Sequence, residues 1–196
     1  MIGRAGSVRD DFSPRRATLA SMMLAFYFLL LLGAGSNPQV PATERLQAVV
    51  QSVDVPAGER LLLRAEARGV QIYRCDKHGD GAEWTFVAPE AKLFVRGAEV
   101  ASHGAGPFWR HTDGSAVWGE ILAKAPSPHA ESIPQLLLKA VRSEGKGMFT
   151  IVNYIQRMDT DGGNAPAAGC DAGHLGSELG TPYTATYLFY AAAGGQ

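Results

Sequence analysis

Two runs near the C-terminus constrain the fold more than any other part of this 196-residue chain. The first, Met148 to Met158, reads Met-Phe-Thr-Ile-Val-Asn-Tyr-Ile-Gln-Arg-Met, and the second, Tyr183 to Tyr190, reads Tyr-Thr-Ala-Thr-Tyr-Leu-Phe-Tyr. β-Branched and aromatic side chains dominate both, which suits a pleated, half-buried surface. Between them lies a glycine- and alanine-rich loop, Gly162 to Gly169, that leads into Cys170, one of only two cysteines. Strand, loop, strand is therefore the expectation for the last third of the chain.

The remainder is cut into short pieces by 23 glycines and 11 prolines, a pattern that favours many turns over long helices. Glu59 to Ala67 alternates, with Leu61, Leu63 and Ala65 on one face and Arg60, Leu62, Arg64 and Glu66 on the other. Val70 to Cys75 follows as a second strand, which predicts a tight hairpin around Ala67-Arg68-Gly69. Trp84 to Val87 is extended, Pro89 ends that run, and Lys92 to Val95 is a short strand before an Arg96-Gly97 turn. His103 to Pro107 reads as a loop and Asp113-Gly114-Ser115 as a turn, since Asp suits its first positions and Gly supplies a positive φ. Ala116 to Ala125 is strand-like and Pro126-Ser127-Pro128 is rigid loop. One short helix is predicted near 132–143, with Ser132 as cap, Pro134 in the first turn, Leu136, Leu137 and Ala140 following, and Gly145 beyond its end. About seven to nine short strands with one small helix make an all-β fold, a mainly antiparallel sandwich or barrel. A parallel α/β fold would need helices between the strands, and those segments are missing.

The N-terminus is of a different kind. Arg4, Arg9, Arg15 and Arg16 precede an almost wholly apolar stretch from Leu19 to Leu32, and Gly33-Ala34-Gly35-Ser36 follows. Positive, apolar, small is the layout of a secretory signal peptide, expected to be helical, over residues 1–36. The apolar stretch is short for a membrane span, although an uncleaved anchor results if Ala17 to Ala34 is taken as one segment. Ser13-Pro14-Arg15-Arg16 is similar to a twin-arginine signal, but Ala17-Thr18-Leu19 fits that signal poorly. A polar lead-in, 37–54, then connects to a single β-rich domain, 55–192. The destination is the periplasm or the extracellular space.

Without residues 1–36, which carry four arginines and two aspartates, the whole-chain net charge of −1 becomes about −3. No basic footprint remains that could neutralise phosphates, so no nucleic-acid partner is expected. Membrane contact is expected only through an uncleaved N-terminal segment, if at all. In an oxidising compartment, Cys75 and Cys170 invite pairing, with two buried free thiols as the competing reading. Closing so long a loop is worth about 4–5 kcal/mol in the chain-entropy picture.

Candidate chemistry is sparse. His78, His103, His111, His129 and His174, with Asp113 and Asp171, show no tight ligand spacing, so no metal is expected. Ser115 beside Asp113, with His103 and His111 upstream, allows a hydrolytic set to be drawn, yet the Gly-x-Ser-x-Gly elbow is absent and a turn explains Asp-Gly-Ser. Carboxylate pairs for glycoside cleavage would be Asp113 with Glu120 or Asp159 with Asp171, at undetermined separations. No catalytic residue is assigned and no cofactor is implied. Binding is better motivated. Trp84, Trp109, Trp118, Tyr154, Tyr183, Tyr187 and Tyr190 include rings at or near loops, although such rings mostly build the core of a small β fold. Gln156 and Arg157 are polar inside an otherwise apolar strand, so they face solvent or a partner such as Asp159 or Asp171, and a held arginine can orient an anionic ligand. The ligand-binding candidates are His103, Trp109, Asp113, Gln156, Arg157, Thr160 and Asp171, on the loops His103–Trp109 and Thr160–His174. The ligand lies outside the cytoplasm and is unidentified. The alternatives are a hydrolase of envelope or extracellular polymers and a purely structural protein.

Several pieces, in order, carry a resemblance: Gly69-Val70-Gln71-Ile72-Tyr73-Arg74-Cys75, Trp84-Thr85-Phe86 with Ala88-Pro89-Glu90-Ala91, and His103 with Gly106-Pro107 and Trp109. Tyr154-Ile155-Gln156-Arg157, Gly169-Cys170-Asp171 and Pro182-Tyr183-Thr184-Ala185 continue it. The chain resembles the family catalogued as domain of unknown function 3455, exported proteins of bacteria and fungi, across about Val55 to Ala191. It departs from the family's pattern at Gly104, where an aromatic is common, and at Gln135, where a tryptophan is. The resemblance implies no settled activity. A malate-dehydrogenase label carried by some relatives has no support here, because no Gly-x-Gly-x-x-Gly follows a strand and opens a helix.

Overall fold

The computed structural model describes residues 52–194. Eight strands, each antiparallel to its neighbours, follow one another around a closed barrel. They are β1 (Glu59–His78), β2 (Gly81–Val95), β3 (Ala98–Gly104), β4 (Phe108–His111), β5 (Ala116–Ala125), β6 (Gln135–Glu144), β7 (Tyr154–Gly162) and β8 (Glu178–Ala192). β8 returns along β1, from Glu59 opposite Ala192 to Arg74 opposite Glu178, so that no strand is left as an open edge. Connections 96–97, 112–115 and 145–153 lie at one end, the lower, and connections 79–80, 105–107, 126–134 and 163–177 at the other, the upper.

Alternation decides which side chains fill the interior. On β1, Ala65, Ala67, Gln71, Tyr73 and Cys75 are buried, while Arg64, Glu66, Arg68 and Arg74 face water. On β8 the inward set is Tyr183, Ala185, Tyr187, Phe189 and Ala191. Small residues on β1 leave room for large rings from its neighbour β8, from β4 and from the 145–153 connection: Phe149 stacks on Phe189 at 4.5 Å, Phe189 meets Trp109 at 6.1 Å, and Trp109 meets Tyr187 at 5.6 Å. This aromatic column is the core of the barrel. Gly119 belongs to it, because a Cβ there would stand 3.3 Å from the Trp109 ring and 3.2 Å from Leu138.

Four expectations are corrected. Gly69 does not turn the chain; β1 runs through it, paired with Ala91 on one side and Tyr183 on the other. A Cβ at Gly69 would sit 2.1 Å from the Glu90 carbonyl oxygen, so the glycine permits close strand approach instead of a hairpin. Pro89 does not end β2. It pairs with Gln71, and between the Ile72–Ala88 and Tyr73–Phe86 pairs Val87 is left over as a bulge, which reconciles a proline with a strand.

The predicted helix at 132–143 is instead β6. Leu136 and Leu138 point into the barrel core, and Leu137 packs outside it against Val53 and Ala123. Gln156 Nε2 donates to the Val53 carbonyl at 2.6 Å, which lays the segment before β1 across the outer face of β6 and β7. Three consecutive buried leucines thus arise from a strand covered on both faces, a pattern that resembles helical spacing when the cover is unknown. The first part of the Met148–Met158 run is likewise a 3₁₀ turn, Met148–Ile151, before β7 begins. The signal segment 1–36 and most of the lead-in lie outside the described residues.

Candidate functional site

The lower end of the barrel is plugged. Phe149, on the 3₁₀ turn, has no exposed surface, and its N–H donates to Ser115 Oγ at 3.0 Å. Ser115 Oγ in turn donates to Asp113 Oδ1 at 2.6 Å, and Met148 N–H donates to Asp113 Oδ2 at 2.8 Å. These hydrogen bonds, the one from the Ser115 hydroxyl foremost, hold the Asp113 carboxyl well below the usual carboxylate range. Gly147 takes φ of 141° here, and a Cβ would fall 2.3 Å from Asp113 Oδ2. Ser115 is sealed from solvent with its hydroxyl engaged on both sides, so Asp113 and Ser115 tie a lid to the barrel wall.

The upper end is different. A cavity of about 290 Å³ opens among β1, β2, the 105–107 turn, β5, β6 and β7. Its wall is mainly apolar, with Pro89, Ile133, Leu136 and Leu138 inside and the exposed side chains of Phe86, Val87 and Ile121 toward solvent. Its floor is polar. His103 lies flat on Trp109, ring centroids 4.4 Å apart and planes 5° apart, with Tyr187 edge-on at 5.2 Å. His103 Nδ1 is 2.9 Å from the Phe108 carbonyl, which requires the hydrogen on Nδ1. Burial, assisted by the positive charge of Arg157 and opposed by the Phe108 carbonyl, brings the His103 pKa down to about 4, so its ring is neutral near pH 7.

Arg157 projects inward from β7 and is 8% exposed. Its Nε and Nη2 both donate to the Pro134 carbonyl, at 3.2 and 2.9 Å. Among the described residues it has no carboxylate partner, and its charge is felt by Tyr73, His103, Tyr183 and Tyr187. Burial raises the pKa of Tyr183 and of Tyr187. The Tyr183 hydroxyl lies near that of Tyr187 and near the Gln71 amide, and the Tyr187 hydroxyl near Arg157, yet among the described residues neither makes a hydrogen bond of proper geometry. Gln71 Nε2 and Trp109 Nε1 are also buried without a partner among the described residues.

The structure therefore brings His103, Trp109 and Arg157 together in one cavity and places the other candidates elsewhere. Asp113 sits in the plug at the lower end. Gln156, adjacent to Arg157, faces outward, where its Oε1 accepts from Tyr190 Oη at 2.7 Å. Thr160 is buried and its hydroxyl donates to the Ile133 carbonyl, helping to hold the chain before β6 against β7. Asp171 caps its own loop, accepting at Oδ1 from Gly173 N–H and His174 Nδ1, both at 2.8 Å. The loop is bound to the barrel by the Cys75–Cys170 disulfide, Cα atoms 5.3 Å apart, and by Trp84 Nε1 donating to the Ala168 carbonyl at 3.0 Å. Among the described residues no three His, Cys, Asp or Glu side chains converge as metal ligands. Gln71, Tyr73 and Lys124 line the cavity without having been singled out in the sequence. Gln71 carried a usable signal, a polar residue in phase with inward-facing Ala65 and Ala67.

The sequence profile of the family described as protein of unknown function (DUF3455) matches residues 56–191. No curated protein and no solved structure matches.

Proposed function

The chain belongs to the DUF3455 family, and on the geometry of its barrel we propose that it is a binding protein that holds one small, mainly apolar molecule in the upper cavity. The carrying observation is the unfilled upper interior. An eight-stranded barrel is just wide enough either to fill itself with side chains or to hold one small ligand. Here the lower half takes the first course and the upper half the second. A volume of about 290 Å³ is at the small end for ligand pockets and equals roughly ten waters' share of the liquid. Apolar walls with a few convergent polar groups are the usual make-up of such a pocket. The disulfide across the upper loop suits an oxidising compartment, which supports a site of action outside the cytoplasm. Fold by itself assigns no ligand; the proposal rests on the cavity.

The test is calorimetric titration of the purified, disulfide-intact protein with 2-naphthalenemethanol, a neutral apolar probe. One site per chain is expected. Val87→Trp and Ile121→Trp, both at partly exposed positions on the cavity wall, are expected to plug it and abolish binding without lowering the melting temperature. Binding that survives both plugs would place the probe elsewhere and overturn the reading.

A further inference from the structure

Several polar groups around the upper cavity are short of acceptors, although Tyr73 Oη donates to the Gly163 carbonyl and His103 Nδ1 to that of Phe108. Trp109 Nε1 is a donor only, Gln71 Nε2 is an amide donor, and the Tyr187 hydroxyl has a proton to give; all three residues line the cavity, and these atoms, buried just behind its surface, make no hydrogen bond of good geometry among the described residues. Arg157 is a donor only, and its Nη1 makes no hydrogen bond to any described residue. Among the described residues no aspartate or glutamate lines the cavity, whereas Lys124 joins Arg157 there as a second cation. His103, neutral in this setting, adds no charge of its own.

A buried guanidinium without a carboxylate among the described residues is poorly compensated, since burying a charge is costly unless a counter-charge and hydrogen bonds answer it. The group that would answer this guanidinium is an acceptor-only anion. Resting on the cavity reading above, we infer that the ligand is an apolar molecule ending in a compact monoanion such as a carboxylate, its oxygens seated on Arg157. The apolar body lies along Pro89, Ile133, Leu136 and Leu138. Lys124 supplies a positive field on the same lining without competing for the bidentate geometry that a planar guanidinium offers. An aliphatic and an aromatic acid share this chemistry, and the cavity volume limits either to a small body.

Two matched pairs distinguish them in calorimetric titrations: 2-naphthoate against 2-naphthalenemethanol, and decanoate against 1-decanol. The acid of at least one pair is expected to bind at least about tenfold more tightly than its alcohol, the gain typical of a charge-assisted bond. Arg157→Met is expected to erase that preference while alcohol binding persists, and Arg157→Lys to keep part of it. Thermal unfolding of both variants checks that the barrel is intact. Alcohols binding as well as acids would overturn the anion assignment and leave the cavity reading standing. A preference that survives Arg157→Met would overturn the assignment to Arg157. No binding by any of the four probes would overturn the cavity reading and this inference with it.

Discussion

The two ends of this barrel solve the same problem in opposite ways. At the lower end Asp113 and Ser115 engage the N–H groups of Met148 and Phe149, and Phe149 fills the barrel against Phe189. At the upper end, among the described residues, Gln71, Trp109 and Tyr187 keep buried polar atoms without partners, Arg157 has no counter-ion, and a cavity remains. Buried polar groups in native proteins are nearly always satisfied, so a cluster of exceptions calls for a reason. The contrast teaches that this is local. The same strands that reach full packing at one end forgo it at the other, as at sites where function competes with stability.

The largest expected effect tests the plug. Phe149→Ala removes a fully buried ring and should cost about 4 kcal/mol in denaturant unfolding. A loss under about 1 kcal/mol would mean that the lower end is not the stabilising half.

Acid separates the ends by pH window. In the unfolded chain His103 has its ordinary value of 6.5, and in the fold it is about 4, so between those values the unfolded chain binds the extra proton. Its contribution is fully present above about pH 6.5 and is lost as pH falls through 4, on the order of 3 kcal/mol. The Asp113 carboxyl is also depressed, but its contribution is complete above its ordinary 3.8 and fades only below that. Stability lost between pH 6.5 and 4.5 should therefore belong to the upper end and shrink in His103→Phe, measured as denaturation midpoint against pH.

The smallest effects compare one polar residue from each end. Asp113→Ala leaves the Met148 N–H and the Ser115 hydroxyl without their acceptor and should cost about 2 kcal/mol. Arg157→Met removes an unpaired buried charge at the expense of one carbonyl's hydrogen bonds, and should change stability by no more than about 1 kcal/mol. Equal costs at the two positions would erase the distinction between a built plug and a site held open.

Much of the architecture was legible from alternation and turn chemistry. β5 begins and ends at Ala116 and Ala125 as the sequence indicates, and the Arg96-Gly97 turn is present with φ of 50° and 84°. Misreadings fell where a long-range neighbour reverses a local signal. Gly69 looks like a break until Glu90 is found against it, and Leu136 to Leu138 look helical until Val53 is found over Leu137. Of the site, His103, Trp109 and Arg157 were visible as polar or aromatic residues in unusual company. Their assembly was not, because Asp113, only four residues from Trp109, ends at the opposite end of the same barrel.

By itself the sequence determined that the described domain is antiparallel β, that a disulfide between its two cysteines was available, and that Arg157 interrupts an apolar strand. These follow from residue type and spacing, which act over a few positions. Only the tertiary structure decided that the sheet closes on itself, that one end is filled and the other hollow, and that Gln71, Trp109 and Tyr187, from three strands, line one cavity with Arg157. Closure and cavity depend on which side chains face each other across the barrel, and that pairing is set by strand register and bulges that no local pattern encodes.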